Sequence, residues 1–149
     1  MDVGTGDGLF VYKSAQRDPR TFYIGIDANR RPLEKISEKI HRRPDKGGLS
    51  NVLYVQASVE DLPAELDAIA AEVFVQFPWG SLLRGVAGGD ETVLGNLRRL
   101  CYRKLDSTSR WALTINAIVT SGKGWSCRES LVNMLELFSQ EGIGMRDSE

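Results

Sequence analysis

Short apolar runs alternate with helically spaced apolar positions along most of the chain. Phe22 to Ile26 is nearly all apolar and ends in Asp27, and Val52 to Val55 and Glu72 to Phe77 are similar runs. Runs of this kind predict strands buried on both faces of a sheet. Trp111 to Val119 predicts a further strand. Between them, Gly8 to Arg17 reads as a helix with Leu9, Tyr12 and Ala15 near one face, stopped by Asp18-Pro19. Leu33, Ile36 and Ile40 give a second helix, with Pro32 in its first turn and Arg43-Pro44 ending it. Leu62 to Ala70 predicts a short helix, and Thr92 to Lys104 a longer one through Val93, Leu94, Leu97 and Leu100. Arg128 to Gln140 is amphipathic through Leu131, Met134, Leu135 and Phe138, with Gly142 as its stop.

This alternation implies right-handed βαβ crossovers and a mostly parallel α/β sheet flanked by helices. At 149 residues it implies a single domain. A first strand is only hinted at, in Met1-Asp2-Val3. A central strand so short loses ladder bonds on both sides, which homodimerisation or strand exchange would offset.

The turn directly after this stub carries chemistry. Asp2-Val3-Gly4-Thr5-Gly6-Asp7-Gly8 is a G-x-G-x-G turn at the mouth of a helix. Its glycines let the backbone approach a ligand closely, and the helix start offers free N–H groups. Asp27, at the carboxyl end of the next strand, can accept two hydrogen bonds from a ribose diol. A glycine turn alone is equally a tight structural turn; the acid after an apolar strand makes it a nucleotide-cofactor site. NAD sites favour G-x-G-x-x-G with pyrophosphate over the helix start. Here the third glycine comes one residue early and Asp7 stands inside the turn. A carboxylate there repels pyrophosphate and suits the ammonium and sulfonium of S-adenosylmethionine.

Two further segments sit at strand ends. After the third strand, Ala57, Ser58 and Glu60 would admit a flat base and read its edge, or Ser58 or Asp61 would simply cap a helix. After the fourth, Phe77-Pro78-Trp79-Gly80-Ser81 offers a stiff turn, a broad indole face and a hydroxyl. Trp79 either packs under its own loop or stacks on a splayed nucleobase.

Net charge is −1, so the whole chain does not advertise a polyanion partner. Basic residues nevertheless gather between Arg30 and Lys46, with Arg42, Arg43 and Lys46 running into Gly47-Gly48. That cluster is either a solvated face or a docking surface. The single His41 argues against a histidine-centred metal site or triad, and no metal is expected. Cys101 and Cys127 lack zinc spacing and disulfide density, so a reducing cytoplasm is the expected setting. No run is long and apolar enough for a membrane span, and no signal peptide is visible.

The segments Asp2–Gly8, Phe22–Asp27, Lys46–Val52 and Phe77–Leu83 together resemble the aminoglycoside-resistance methyltransferases that act on N1 of a decoding-site adenine in 16S rRNA. The likeness runs through residues 2–86 and fades to element order over 87–149. It implies a Rossmann-like, S-adenosylmethionine-dependent enzyme acting on the small ribosomal subunit. By that resemblance the Asp2, Gly4, Thr5, Gly6, Asp7, Gly8 turn would hold the methionine part of the cofactor, Asp27 its ribose, and Ala57, Ser58 and Glu60 its adenine. Ser81 would sit by the methionine end, and Trp79, set by Pro78, would stack on the flipped target adenine. Arg42, Arg43 and Lys46 would dock on ribosomal RNA. Against the family pattern the first strand is cut short and two strands with a second base-stacking tryptophan are missing, so truncation at both ends is expected. Trp111 and Trp125 do not occupy the matching context. Two other readings stand beside this one: a non-catalytic cofactor-binding remnant, and a methyltransferase for another RNA or a small molecule.

Overall fold

The computed structural model describes residues 1–101 and the strand Ala112–Asn116. Five parallel strands, β1 (Asp2–Val3), β2 (Tyr23–Asp27), β3 (Val52–Gln56), β4 (Glu72–Gln76) and β5 (Ala112–Asn116), form one sheet in the order β3-β2-β1-β4-β5. The α/β class and the parallel sheet are as the alternation implies. The short central strand is held at both sides: Asp2 and Val3 align with Gly25 and Ile26, and Asp2 aligns with Phe74. Met1 extends it, its carbonyl accepting from Phe74 N–H at 2.8 Å.

Helices cover both faces. On one face, α1 (Leu9–Arg17) and α2 (Arg30–Ile40) bury Val11, Tyr12, Ala15, Ile36 and Ile40 with Val52. On the other, α3 (Gly80–Gly88) and α4 (Glu91–Leu100) bury Leu82, Val86, Val93, Leu97 and Leu100 against Val3, Ile26, Val73 and Val75. Leu97 and Leu100 are completely buried, each contributing roughly 1.5–3 kcal/mol by area removed from water. Asn51 clasps the end of α1 to the sheet, its Nδ2 donating to the carbonyls of Ala15, Asp18 and Thr21 at 3.0–3.2 Å.

The structure departs from expectation in three places. Leu62 to Ala70 is not a helix: only Ala64–Leu66 makes a 3-10 turn, Ala68 takes a positive φ of 55°, and Ala70 N–H donates to Leu100 carbonyl instead. Helix α4 stops at Leu100, because Cys101 is extended and bridges Ala70. A helix that the pattern does not predict, Gly80–Gly88, begins inside the Phe77–Ser81 turn. Its glycines lower local helix propensity, yet the buried Leu82, Gly85 and Val86 packing on Val93 override it. Of the strand expected over Trp111 to Val119, Ala112–Asn116 is described; the flanking residues, the helix Arg128 to Gln140 with Gly142, Trp125 and Cys127 lie outside the described residues. Among the described residues, no helix is long and apolar enough to cross a membrane.

Candidate functional site

In the order β3-β2-β1-β4-β5 the second and third strands lie on one side of β1 and the fourth and fifth on the other, so the strand order switches between β1 and β4. A crevice opens at the carboxyl ends of strands at such a switch point, and ligands bind there. Both the glycine turn after β1 and the Phe77–Ser81 turn after β4 border it.

The glycine turn is built from positive φ angles, 76° at Gly4, 59° at Gly6 and 70° at Gly8. Gly4 and Thr5 N–H both donate to Ile26 carbonyl, at 2.8 and 2.9 Å. Asp27 locks the turn further: its Oδ2 accepts from Gly6 N–H at 2.7 Å and its Oδ1 from Asn29 N–H at 2.8 Å. A carboxylate has about four acceptor positions, so Asp27 keeps capacity for a diol. Beneath the turn, Tyr54 donates its hydroxyl to Gly8 carbonyl at 2.8 Å, and burial pushes that phenol's pKa up. A Cβ on Gly8 would fall 2.6 Å from the Tyr54 ring, and one on Gly4 2.6 Å from Leu82. At Gly6 a Cβ would meet nothing within 4 Å. Below, therefore, the turn is packed solid; above Gly6 it is open to a ligand.

Three buried polar atoms around the turn make no hydrogen bond of standard geometry: Asp2 Oδ1, Thr5 Oγ1 and Gln76 Nε2. Burial pushes the Asp2 carboxyl up to about 6, with the nearby Thr5 hydroxyl pulling the other way. The Thr5 hydroxyl and the Gln76 amide act on that carboxyl, and a buried carboxylate at a ligand edge attracts a cationic group that donates hydrogen bonds. Asp7 is exposed and its Oδ1 accepts from Leu9 N–H at 3.0 Å, so it caps α1, a role its place in the motif did not announce.

On the β3 side, Ala57 N–H donates to Asp27 carbonyl at 3.1 Å, which sets this loop beside the acid. Ser58 and Asp61 close a tight turn, so neither caps a helix. The Glu60 carboxyl is held below its usual range by its own backbone N–H, then by the hydroxyls of Ser81 and Ser58. Ser81 thus comes together with the Ser58–Glu60 loop. Asn96 of α4, to which no motif points, donates from Nδ2 to the carbonyls of Val59 and Glu60 at 2.9 and 3.2 Å and fixes that loop. Tyr54 and Gln76 are equally silent in the sequence; each reads as an ordinary strand residue.

Trp79 is 85% exposed, which excludes packing under its own loop. Pro78 beside it is buried, and Phe77 carries a positive φ of 46°. Such an angle is a true outlier for a bulky residue and clusters at functional sites. Arg42, Arg43 and Lys46 are exposed in the turn after α2, with Arg43 paired to Asp45 at 3.0 Å. They lie past the opposite end of α2 from Asp27, away from the crevice.

The family model of the 16S rRNA (adenine(1408)-N(1))-methyltransferases, NpmA, matches residues 1–135. The chain belongs to this family. A 16S rRNA (adenine(1408)-N(1))-methyltransferase from Escherichia coli is 47% identical over 104 residues, covering 70% of this chain and 48% of that protein. The crystal structure of the aminoglycoside resistance methyltransferase NpmB1 superposes with a TM-score of 0.67 at 57% identity, covering 68% of this chain and 49% of that one. A variant of the 16S rRNA (adenine(1408)-N(1))-methyltransferase from Catenulisporales acidiphilia, solved with cosubstrate SAM, superposes with a TM-score of 0.66 at 39% identity, covering 68% of this chain and 45% of that one. The chain spans about half the length of the curated relatives it matches.

Proposed function

We propose that this chain binds S-adenosylmethionine in the β1–β4 crevice and transfers its methyl group to N1 of the decoding-site adenine of 16S rRNA in the cytoplasmic small ribosomal subunit, giving aminoglycoside resistance. The observation that carries the cofactor reading is the charge around the glycine turn. The Asp27 charge acts on the buried Asp2 carboxyl across the turn, and Asp7 stands exposed at its rim. A pyrophosphate would be repelled there, whereas an ammonium and a sulfonium are attracted. The relative solved with cosubstrate SAM supports the same choice.

When bound, S-adenosylmethionine supplies an electrophilic methyl group on sulfur. Asp2, Thr5 and the Gly4–Gly8 backbone hold the methionine part, Asp27 accepts from the ribose, and Ala57, Ser58 and Glu60 border the adenine, with Ser81 completing that wall. Trp79 presents its indole face for the flipped base, stiffened by Pro78. The target N1 carries its own lone pair, so the chain needs no general base. Its contribution is alignment of nucleophile, methyl and leaving sulfur. Arg42, Arg43 and Lys46 contact rRNA phosphates and set the salt dependence of docking.

Incubation of the chain with purified small ribosomal subunits and radiolabelled S-adenosylmethionine should label one adenine of 16S rRNA at N1. Calorimetric titration should register S-adenosylmethionine and not NAD. Binding of NAD alone would sink the cofactor reading; cofactor binding without label in 16S rRNA would sink the reaction.

A further inference from the structure

The basic turn after α2 is self-closed, and a buried side chain of α1 ties it to the body of the protein. Lys46 N–H and Gly48 N–H both return to Arg43 carbonyl, at 2.8 and 3.1 Å, and Leu49 N–H donates to Ile40 carbonyl at 2.9 Å. The crossing is so tight that a Cβ on Gly48 would fall 1.7 Å from Arg42 carbonyl oxygen. Tyr12, in the middle of α1 and 4% exposed, donates its hydroxyl to Gly47 carbonyl at 2.8 Å. Gln16 Nε2 donates to that hydroxyl at 3.3 Å, and Lys39 Nζ lies 4.0 Å over the Tyr12 ring. Gly47 has φ 87°, and a Cβ there would fall 2.8 Å from the Tyr12 hydroxyl.

Packing alone does not ask for that hydroxyl, since phenylalanine would fill the same volume. Its effect is to fix the turn that carries Arg42, Arg43 and Lys46 to α1, whose other end is the glycine turn at Gly8. We propose that Tyr12 is a positioning residue for RNA docking: it fixes the basic turn at a set place relative to the cofactor crevice. This role rests on rRNA being the substrate. A mobile turn would have to be ordered on binding, which weakens association, whereas a fixed one presents its cations ready-placed. Lys39 is part of the same anchor, its ammonium occupied by the ring face rather than swinging free.

Tyr12→Phe keeps ring, burial and cation contact and removes the hydroxyl, with its bonds to Gly47 and Gln16. Its dissociation constant for purified small ribosomal subunits should rise about five- to ten-fold, the scale of one lost hydrogen bond. The slope of log affinity against log salt should stay as in the parent, because the same phosphate contacts form once the turn is ordered. S-adenosylmethionine affinity should not change. Unchanged subunit affinity would overturn the proposal, and so would an equal loss of cofactor affinity, which would make Tyr12 a fold residue. Gly47→Ala breaks the same contact from the turn's side. The double variant should therefore bind no worse than the weaker single one, and additive losses would overturn the anchor. Failure of the wild-type chain to bind small subunits would instead sink the rRNA reading itself.

Discussion

Two turns leave neighbouring strands at the same edge of the sheet, and they use strained backbone for opposite ends. After β1, positive φ falls on Gly4, Gly6 and Gly8, where it is nearly free, and the turn is packed from below by Tyr54, Ile36 and Leu82. After β4, positive φ falls on Phe77, where it costs on the order of 1–3 kcal/mol, and the following Trp79 stands in solvent. The first turn shapes a cradle from backbone; its side chains matter mainly where Asp2 and Asp27 face inward. The second turn displays a side chain, and little of the protein's stability depends on it. A ligand held by main chain needs a fold-locked loop, whereas a macromolecular substrate arriving from outside needs an accessible face.

The sharpest way to break this contrast is at Gly8. Gly8→Ala places a Cβ 2.6 Å from the Tyr54 ring at φ 70°, and should destabilise the chain by about 2–4 kcal/mol in thermal or denaturant unfolding. A loss below about 1 kcal/mol would show that Tyr54 does not pack the turn from below. Trp79→Ala should do the reverse: stability within about 0.5 kcal/mol of the parent, and methyl transfer to small subunits down on the order of 10- to 100-fold. Transfer at the parent rate would remove Trp79 from the substrate face.

A pH series probes the inner side of the glycine turn. Burial raises the Asp2 carboxyl from 3.8 to about 6, and a cationic cofactor favours its ionised form. Affinity for S-adenosylmethionine should therefore rise up to about ten-fold between about pH 5 and 7, in step with the ionised fraction, and Asp2→Asn should flatten that rise. The free protein has the opposite sign. Because the folded pKa lies above the unfolded one, this carboxyl favours the fold below about pH 4 and that advantage is lost as pH rises through about 6. The smallest effect is expected at Phe77. Phe77→Asn, whose side chain tolerates positive φ, should raise stability by up to about 1 kcal/mol in a thermal melt. A fall would mean that packing of the half-exposed ring outweighs the strain.

Much of the site was legible because its signals are local. Glycines spaced through Gly4-Thr5-Gly6-Asp7-Gly8, an apolar strand ending in Asp27, and a proline-tryptophan turn after another apolar strand each carry their chemistry within a few neighbouring residues. The two helices of the first half were legible for the same reason: Leu33, Ile36 and Ile40 recur at helical spacing and all three are buried. The helix expected over Leu62 to Ala70 failed because its backbone is claimed by a distant partner. Ala68 and Ala70 give their N–H groups to Arg99 and Leu100 carbonyls, which no local pattern reveals. Helix α3 was missed for the converse reason, since Gly80, Gly85 and Gly88 discourage a helix that Val93 and the sheet then impose.

The sequence by itself determined the alternation of strand and helix, the placing of a glycine turn before a helix and of an acid after the second strand, and the sign of the charge around that turn. These come from backbone sterics, side-chain periodicity and charge within short windows of chain. Only the tertiary structure decided the strand order that sets β1 beside β4 and opens the crevice between their turns. It also decided that Trp79 faces solvent, that Asn96 fixes the Glu60 loop and that Tyr12 holds the basic turn. Each of these joins residues far apart in the chain or depends on how distant elements pack. Such arrangements are selected by the packing of the whole sheet and its helices, not by any segment's own preference.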